Sequence, residues 1–462
     1  MADISKYFFF TKAIRKIALE PFWWVFVLVF VFYVPFLRVW WWVFTPLVLS
    51  MELRVLYLWW IRWDYNYAKT KWVMLEVVTP KEILTPLKAM EDVFTVMWGP
   101  LYGPQNWREV WCEGAYDSWM SWEIASIEGN LHFYLRVTAD HRLSVETALY
   151  SHYPELEIHE VQDYTKAVPK NIPNAEWDVY GEDFMLGAPA AYPIKTYEKF
   201  FEPQGEKISA EEKRIDPIAS LLELMSKIGP GEQYWLQFTT VAMGPDDEPD
   251  WKSESHKIIN KITKRVEKKT TTLFDDLKLV FVNLIMGPQK IGSGEKATFK
   301  FLEAKVSESD EREMVLTPGE REVLTELEGK LKKPVFRANI RGVYVAKREN
   351  WRPSHRILAR SYFAHFQTQN LNYLRFSIST RPKTNYVFRR RIPFLRSRRM
   401  FRNYILRFPS YFPDWIKEVP VLNPEEMATI FHFPLKITGL VLPTMTRVES
   451  KKGGPPPNLP TE

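Results

Sequence analysis

Apolar positions fall along this chain in three textures. Residues 21–51, PFWWVFVLVFVFYVPFLRVWWWVFTPLVLSM, are apolar almost without a break and hold one charge, Arg38. From Trp72 onward, apolar residues recur at the periods of 2 and 3.6 that mark half-buried strands and amphipathic helices. Beyond residue 381 the pattern gives way to a cationic run and then to a Pro/Gly-rich tail.

The periodic part reads first as strand, helix, strand, strand, helix, strand. WVMLEVV (72–78) is a strand stopped by Thr79-Pro80, and the helix 85–98 carries Leu87, Met90, Phe94 and Met97 on one face. SWEIASI (121–127) and HFYLRV (132–137) form a hairpin across Glu128-Gly129-Asn130, a helix over 141–153 follows Asp140, and LEIHEV (156–161) closes the unit. This is the βαββαβ order of a ferredoxin-like split βαβ fold, predicted over 72–165. A second copy is predicted over 175–372. Its strands are DVYGEDFML (178–186), QYWLQFTTVAM (233–243) and FRANIRGVYVA (336–346). Asp216-Pro217 opens a helix, because a capping carboxylate and a proline at the first helical position both favour a start there. Thr317-Pro318-Gly319-Glu320 is a capping box opening the helix 318–332, and another helix is expected near 354–370. Residues 251–286 read as a helical insertion and 288–315 as a polar loop. A short helix within 421–434 and a tail of linker composition, 447–462, complete the layout. The predicted fold class is thus α+β, with two ferredoxin-like sandwiches behind an N-terminal apolar segment.

That apolar segment is long enough to cross a bilayer, for which a helix needs about 20 residues. As a single span it buries Arg38 at a cost of roughly 2.5–3.5 kcal/mol. As a hairpin it places Arg38 in a turn opened by Pro35. Lys6, Lys12, Arg15 and Lys16 precede the segment, and Arg62, Lys69 and Lys71 follow it. Cations on both flanks favour the hairpin, with both ends cytoplasmic. The expectation is a cytoplasmic segment 1–20, a transmembrane hairpin over 21–63, and a folded part facing the cytoplasm at the inner membrane. No small-x-small cleavage site follows, so a signal peptide is not expected.

Composition narrows the chemistry. The 462 residues carry 62 Lys and Arg against 56 Asp and Glu, a net charge of +6 that matters only where it is concentrated. The lone cysteine, Cys112, excludes an internal disulfide framework and a cysteine-based zinc site. The eight histidines form no HExxH pair, and no GxSxG elbow or GxGxxG loop occurs. Gly292-Ser293-Gly294-Glu295-Lys296-Ala297 imitates a phosphate loop but has the wrong spacing and lacks the terminal hydroxyl. No catalytic residue, metal or cofactor is expected.

The cationic run carries the strongest signal. Arg381, Lys383, Arg389, Arg390, Arg391, Arg396, Arg398, Arg399, Arg402 and Arg407 stand in residues 381–407 without one acidic residue. Tyr386, Phe388, Phe394, Phe401 and Tyr404 are interleaved with them. Such a run can grip phosphates and stack bases, dock on anionic lipid, or meet a partner's acidic surface. Nine arginines against one lysine favour bidentate contacts.

Several segments together resemble one known family. They are WVMLEVVTPKEILTPLKAMEDVF (72–94), LYSHYPELEIHEVQDYT (149–165), AYPIKTYEKFFEP (191–203), EEKRIDPIASLLELMSKIGPGEQYWLQF (211–238), LTPGEREVLTELEGKL (316–331), VLNPEEMATIFHFP (421–434) and RVESKKGGPPPNLP (447–460). In this order they resemble the membrane-anchored amino-terminal region of type IV secretion or conjugation-type DNA-translocating ATPases. In that family the Pro-rich segment leads into a P-loop motor, whereas this sequence stops at Glu462. The resemblance therefore implies a non-catalytic accessory platform in a DNA-transfer machine. Its implied partners are a bilayer, a separate P-loop ATPase, DNA and further subunits of an oligomeric assembly. The alternatives are a membrane-associated enzyme acting on lipid or envelope substrates, with a pocket from the loop 99–120, and a membrane scaffold that touches no nucleic acid.

Overall fold

A computed structural model of the chain describes residues 56–80, 85–103, 105–200, 216–245, 249–263, 289–291, 298–300, 316–383, 389–412 and 414–434, with isolated positions at 30, 33–35, 39, 42, 46, 50, 53, 54, 83 and 247. The chain forms two compact units, residues 1–72 with 103–118, and residues 73–102 with 119–462.

The larger unit is built on β1 (Trp72–Val78), α1 (Lys88–Leu101), β2 (Trp119–Ile127), β3 (Asn130–Thr138), α2 (Arg142–His152), β4 (Glu157–Val161), β5 (Trp177–Leu186), α3 (Pro217–Ser226) and β6 (Glu232–Met243). It continues with α4 (Trp251–Ile262), the hairpin β7 (Gln289–Ile291) and β8 (Thr298–Lys300), α5 (Pro318–Lys332), β9 (Val335–Lys347), α6 (Leu358–Ala364), β10 (Leu374–Phe376), α7 (Arg391–Leu406), β11 (Val421–Leu422) and α8 (Pro424–Ile430). Four of these helices, α3, α4, α5 and α8, start on a side-chain cap. Asp216 accepts from Ile218 N at the start of α3 behind Pro217, and Asn423 and Glu426 form a reciprocal capping box at α8. These side chains satisfy amides that the first helical turn leaves without partners.

The two predicted ferredoxin-like sandwiches are not separate. The strands run β10-β5-β9-β6-β2-β3-β1-β4, with β11 on β9, in one nine-stranded sheet. The joint lies between β2 and β6, paired antiparallel from Trp119↔Val241 to Ile127↔Gln233. Within each half the third strand lies between the first and the second, so the repeat is one of strand order and not of independent domains. The physical reason is visible in β2 and β6. Every residue of β6 is buried, and so is every residue of β2 except Ile127. As edges of two sandwiches these strands would present a row of open N–H and C=O groups. Joined, they close both edges.

The sheet is covered on both faces. On one face lie Trp122, Ile124, Leu236, Phe238, Ile340 and Tyr344, packed under α1, α2, α3, α6 and α8. Phe94 of α1 sits 4.7 Å from the Trp122 ring; burying a side chain of this size contributes about 1.5–3 kcal/mol. On the other face, Ala125, Val179, Trp235, Val343 and Val345 meet Phe401 and Tyr404 of α7. Gly181 allows that approach, because a Cβ there would lie 2.4 Å from Met400 Sδ.

The expected transmembrane hairpin is corrected as well. Most of 21–51, Arg38 included, lies outside the described residues, and among the described residues no helix is long and apolar enough to cross a membrane. Where the described chain continues the predicted span, it carries Arg54, Arg62 and Asp64 and widens into a π-helical stretch, Trp60–Tyr67. The inner-membrane placement drawn from the hairpin loses that support. Within the predicted insertion, α4 covers Trp251–Ile262, and 264–288 lies outside the described residues, as do the loop Gly292–Ala297 and the tail 447–462.

Candidate functional site

The cationic run is organised by α7, a helix that the sequence reading did not place. Its inner stripe is Ser397, Met400, Phe401, Asn403 and Tyr404, all buried. Its outer stripe is Arg391, Phe394, Leu395, Arg398, Arg399 and Arg402, all exposed. These positions follow i, i+3, i+4, i+7, i+8 and i+11, the signature of one helical face. At 1.5 Å per residue, Arg391 to Arg402 spans roughly 16 Å. Arg389 and Arg390 extend the exposed charge beyond the helix start, and Lys383 is exposed on the preceding segment. Tyr386 and Phe388 lie outside the described residues.

Three of the ten cations do other work. Arg396 donates to the carbonyls of Arg381 and Lys383, at 3.1 and 3.0 Å, fastening the incoming strand to α7. Arg381 lies over the Phe376 ring at 4.6 Å. Arg407 is fully buried and cannot meet a partner, so its place among the binding residues is corrected. It caps α7 in the left-handed conformation, φ +57°, a conformation that helices commonly give to glycine at their C-terminal ends.

A buried ion cluster explains that conformation. The Arg407 guanidinium donates through Nε to Glu123 Oε1 at 2.9 Å and through Nη2 to Glu123 Oε2 at 3.1 Å. Nη1 reaches Asp163 Oδ2 at 2.5 Å. Glu123 also accepts from Ser121 Oγ, Tyr164 Oη and Gln237 Nε2. Tyr164 and Tyr404 share a hydrogen bond of 2.7 Å beside it. Burial pushes the Glu123 carboxyl up, but the Arg407 charge and the converging hydrogen bonds outweigh it and hold the group below its ordinary range. Asp163 is held low by the same balance, with Thr165 adding bonds. Burial raises both tyrosines well above their usual value, so they remain neutral donors. A second buried arginine pins the exit of α7: Arg341 of β9 holds Asp183 of β5 at 2.5 Å and donates to Phe408 O and Ser410 Oγ.

The helix is therefore held from below while its upper face works against it. Arg390 at the N-cap makes no side-chain cap, and the first turn holds no acid. Cations at a helix N-terminus oppose the macrodipole by roughly 0.3–1 kcal/mol each. Arg398 and Arg402 at i, i+4, and Arg399 and Arg402 at i, i+3, repel one another, each pair by about 0.2–0.5 kcal/mol. Among the described residues Arg391, Arg398, Arg399 and Arg402 have no carboxylate partner, whereas Arg341 and Arg360 each hold one and Arg407 holds two. Also among the described residues, no three His, Cys, Asp or Glu side chains gather as a metal set.

The buried partners went unseen in the sequence. Glu123, the one charged residue of β2, was the available signal. So was the position of Arg407, three residues after Tyr404 on the inner stripe. Comparison with known protein families and with curated proteins finds no match to this chain. Those comparisons give no support to secretion or conjugation.

Proposed function

We propose that the exposed arginine face of α7 docks on the phosphates of nucleic acid, and that the chain acts as a non-catalytic accessory platform in a DNA-transfer machine driven by a separate P-loop ATPase. The observation that carries the docking role is the unneutralised cationic stripe on a helix whose own electrostatics disfavour it. Local rules are broken in this way where function repays the cost. Duplex DNA carries one charge per about 1.7 Å of axis, so a stripe of roughly 16 Å faces several phosphates. Arginine suits them by bidentate contact, and Phe394 stands among the guanidiniums as a ring on which an unpaired base can stack. The wider role rests on the sequence resemblance.

The full chain is titrated with a labelled duplex and a labelled single strand over a salt series. Binding should weaken with salt, and Arg398→Gln, Arg399→Gln and Arg402→Gln combined should flatten the slope of log K against log salt by about 3 at most. Binding by the triple variant with unchanged affinity and slope would sink the proposal.

A further inference from the structure

The smaller unit carries a surface that the reading above does not use. The segment 105–118 folds back on residues 56–70 through named contacts. Tyr57 Oη donates to Trp111 O at 2.7 Å, Asn66 Nδ2 to Gly114 O at 3.0 Å, and Thr70 Oγ1 meets Tyr116 Oη at 2.7 Å. Gly114, at φ +68°, is the point of closest approach, where a Cβ would lie 2.3 Å from Ile61 O. The rings follow: Tyr57 stacks on Trp111, Trp111 on Trp107, and Trp63 on Tyr116.

Among its described residues this assembly has almost no interior. Ile61 is buried, while Trp107 is 72% exposed, Leu56 63% and Trp60 51%, with Tyr57, Trp59 and Tyr65 also open. A contiguous apolar patch of this kind marks an interaction site. Most of its rings are Trp or Tyr, with an apolar body and a polar tip, the side chains enriched where lipid headgroups meet water. Its charges are mixed, Arg54, Lys69 and Arg108 against Asp64, Glu109 and Glu113. The stretch 21–51, with its single charge, leads straight into it.

We infer that this aromatic surface, built from 56–70 and 105–118, docks in the headgroup region of a lipid bilayer. The contact lies in the plane of the interface and requires no span. It is driven by the rings and not by net charge, so it forms on zwitterionic lipid. This separates it from any attraction of the α7 arginines to anionic surfaces.

Cys112 supplies the test, because it is exposed within this surface and is the only cysteine in the chain. The full chain, labelled at Cys112 with a polarity-sensitive fluorophore, is mixed with phosphatidylcholine vesicles and quenched with aqueous iodide. The expected result is a blue shift and a loss of iodide quenching on adding vesicles. Trp60→Ser with Trp107→Ser should abolish both, while circular dichroism stays unchanged. A label that remains open to iodide while the protein floats with the vesicles overturns the inference, because the chain then meets lipid elsewhere. A shift unaffected by the double substitution overturns it too. So does shielding that appears without lipid and grows with protein concentration, which assigns the surface to a second copy of the chain.

Discussion

Helices α5 and α7 have nearly the same length and opposite manners. In α5 both ends keep the local rules: Thr317 and Glu320 form a capping box, Pro318 starts the first turn, and Lys330 and Lys332 occupy the last. Lys330 is itself buried, paired with Glu426 at 2.9 Å and bonded to Val421 O. In α7 the start is uncapped and cationic, the outer stripe repels itself, and the end is a strained arginine. The first helix is favoured by its own sequence. The second exists because the sheet below holds it, chiefly through Phe401, Tyr404 and the Arg407 cluster. Stability and exposed charge are thus separable in α7, since they reside on different stripes.

The sharpest way to break this picture is at the anchor. Arg407→Gln leaves Glu123 and Asp163 without their cation and should cost about 3–5 kcal/mol, the range for removing one partner of a buried pair. Denaturant unfolding checks it, with Arg399→Gln as a surface control expected within about 0.5 kcal/mol of the parent. A loss below 1 kcal/mol in Arg407→Gln would show that the cluster does not hold the helix.

Acid tests the same cluster from its other side. Glu123 and Asp163 have folded pKa values held below their ordinary ones. Their contribution is therefore present above the unfolded carboxylate values, near pH 4, and is lost as pH falls through the depressed folded values. Without Arg407, burial is opposed only by the hydrogen bonds from Ser121, Tyr164 and Thr165, and both carboxyls rise. The pH of half-unfolding, followed by circular dichroism, should accordingly move upward in Arg407→Gln.

Smaller effects distinguish the two helix starts. Thr317→Ala should cost α5 about 1 kcal/mol by removing its cap. Arg390→Ser should do the reverse in α7, stabilising the fold by roughly 0.3–1 kcal/mol through one fewer cation at the dipole's positive end. Thermal melts of the two single variants should shift in opposite directions. Smallest of all, the combined Arg398, Arg399 and Arg402 to Gln variant should gain a few tenths of a kcal/mol by relieving like-charge pairs. A marked fall in its stability would mean that the outer stripe supports the fold.

The contrast also explains what could be read from the sequence. The start of α5 was legible in Thr317-Pro-Gly-Glu, because capping is a local interaction among neighbours. The strands that became β1, β2, β3 and β6 were legible by alternation. Their union was not, because Trp119 to Ile127 finds Gln233 to Val241 only in three dimensions. Ten cations in one run obscured the helix beneath them. The stripe of Met400, Phe401 and Tyr404 stands at helical spacing, but Phe394 and Leu395 are apolar on the outer face and blur the period. Which arginine turned inward depended on Glu123 and Asp163, far away in the chain.

Distance along the chain has a consequence for synthesis. Glu123 and Arg407 are 284 positions apart. At about 5–20 residues per second, a ribosome takes roughly 15–60 s to travel between them. For most of that interval the nascent sheet offers two carboxylates whose buried cation among the described residues, Arg407, has not yet been made. A chain released before residue 407 would have to bury them uncompensated, so it stays open and remains a substrate for proteases. Folding of the first half of the sheet is thereby tied to synthesis through residue 407, the last arginine of the run.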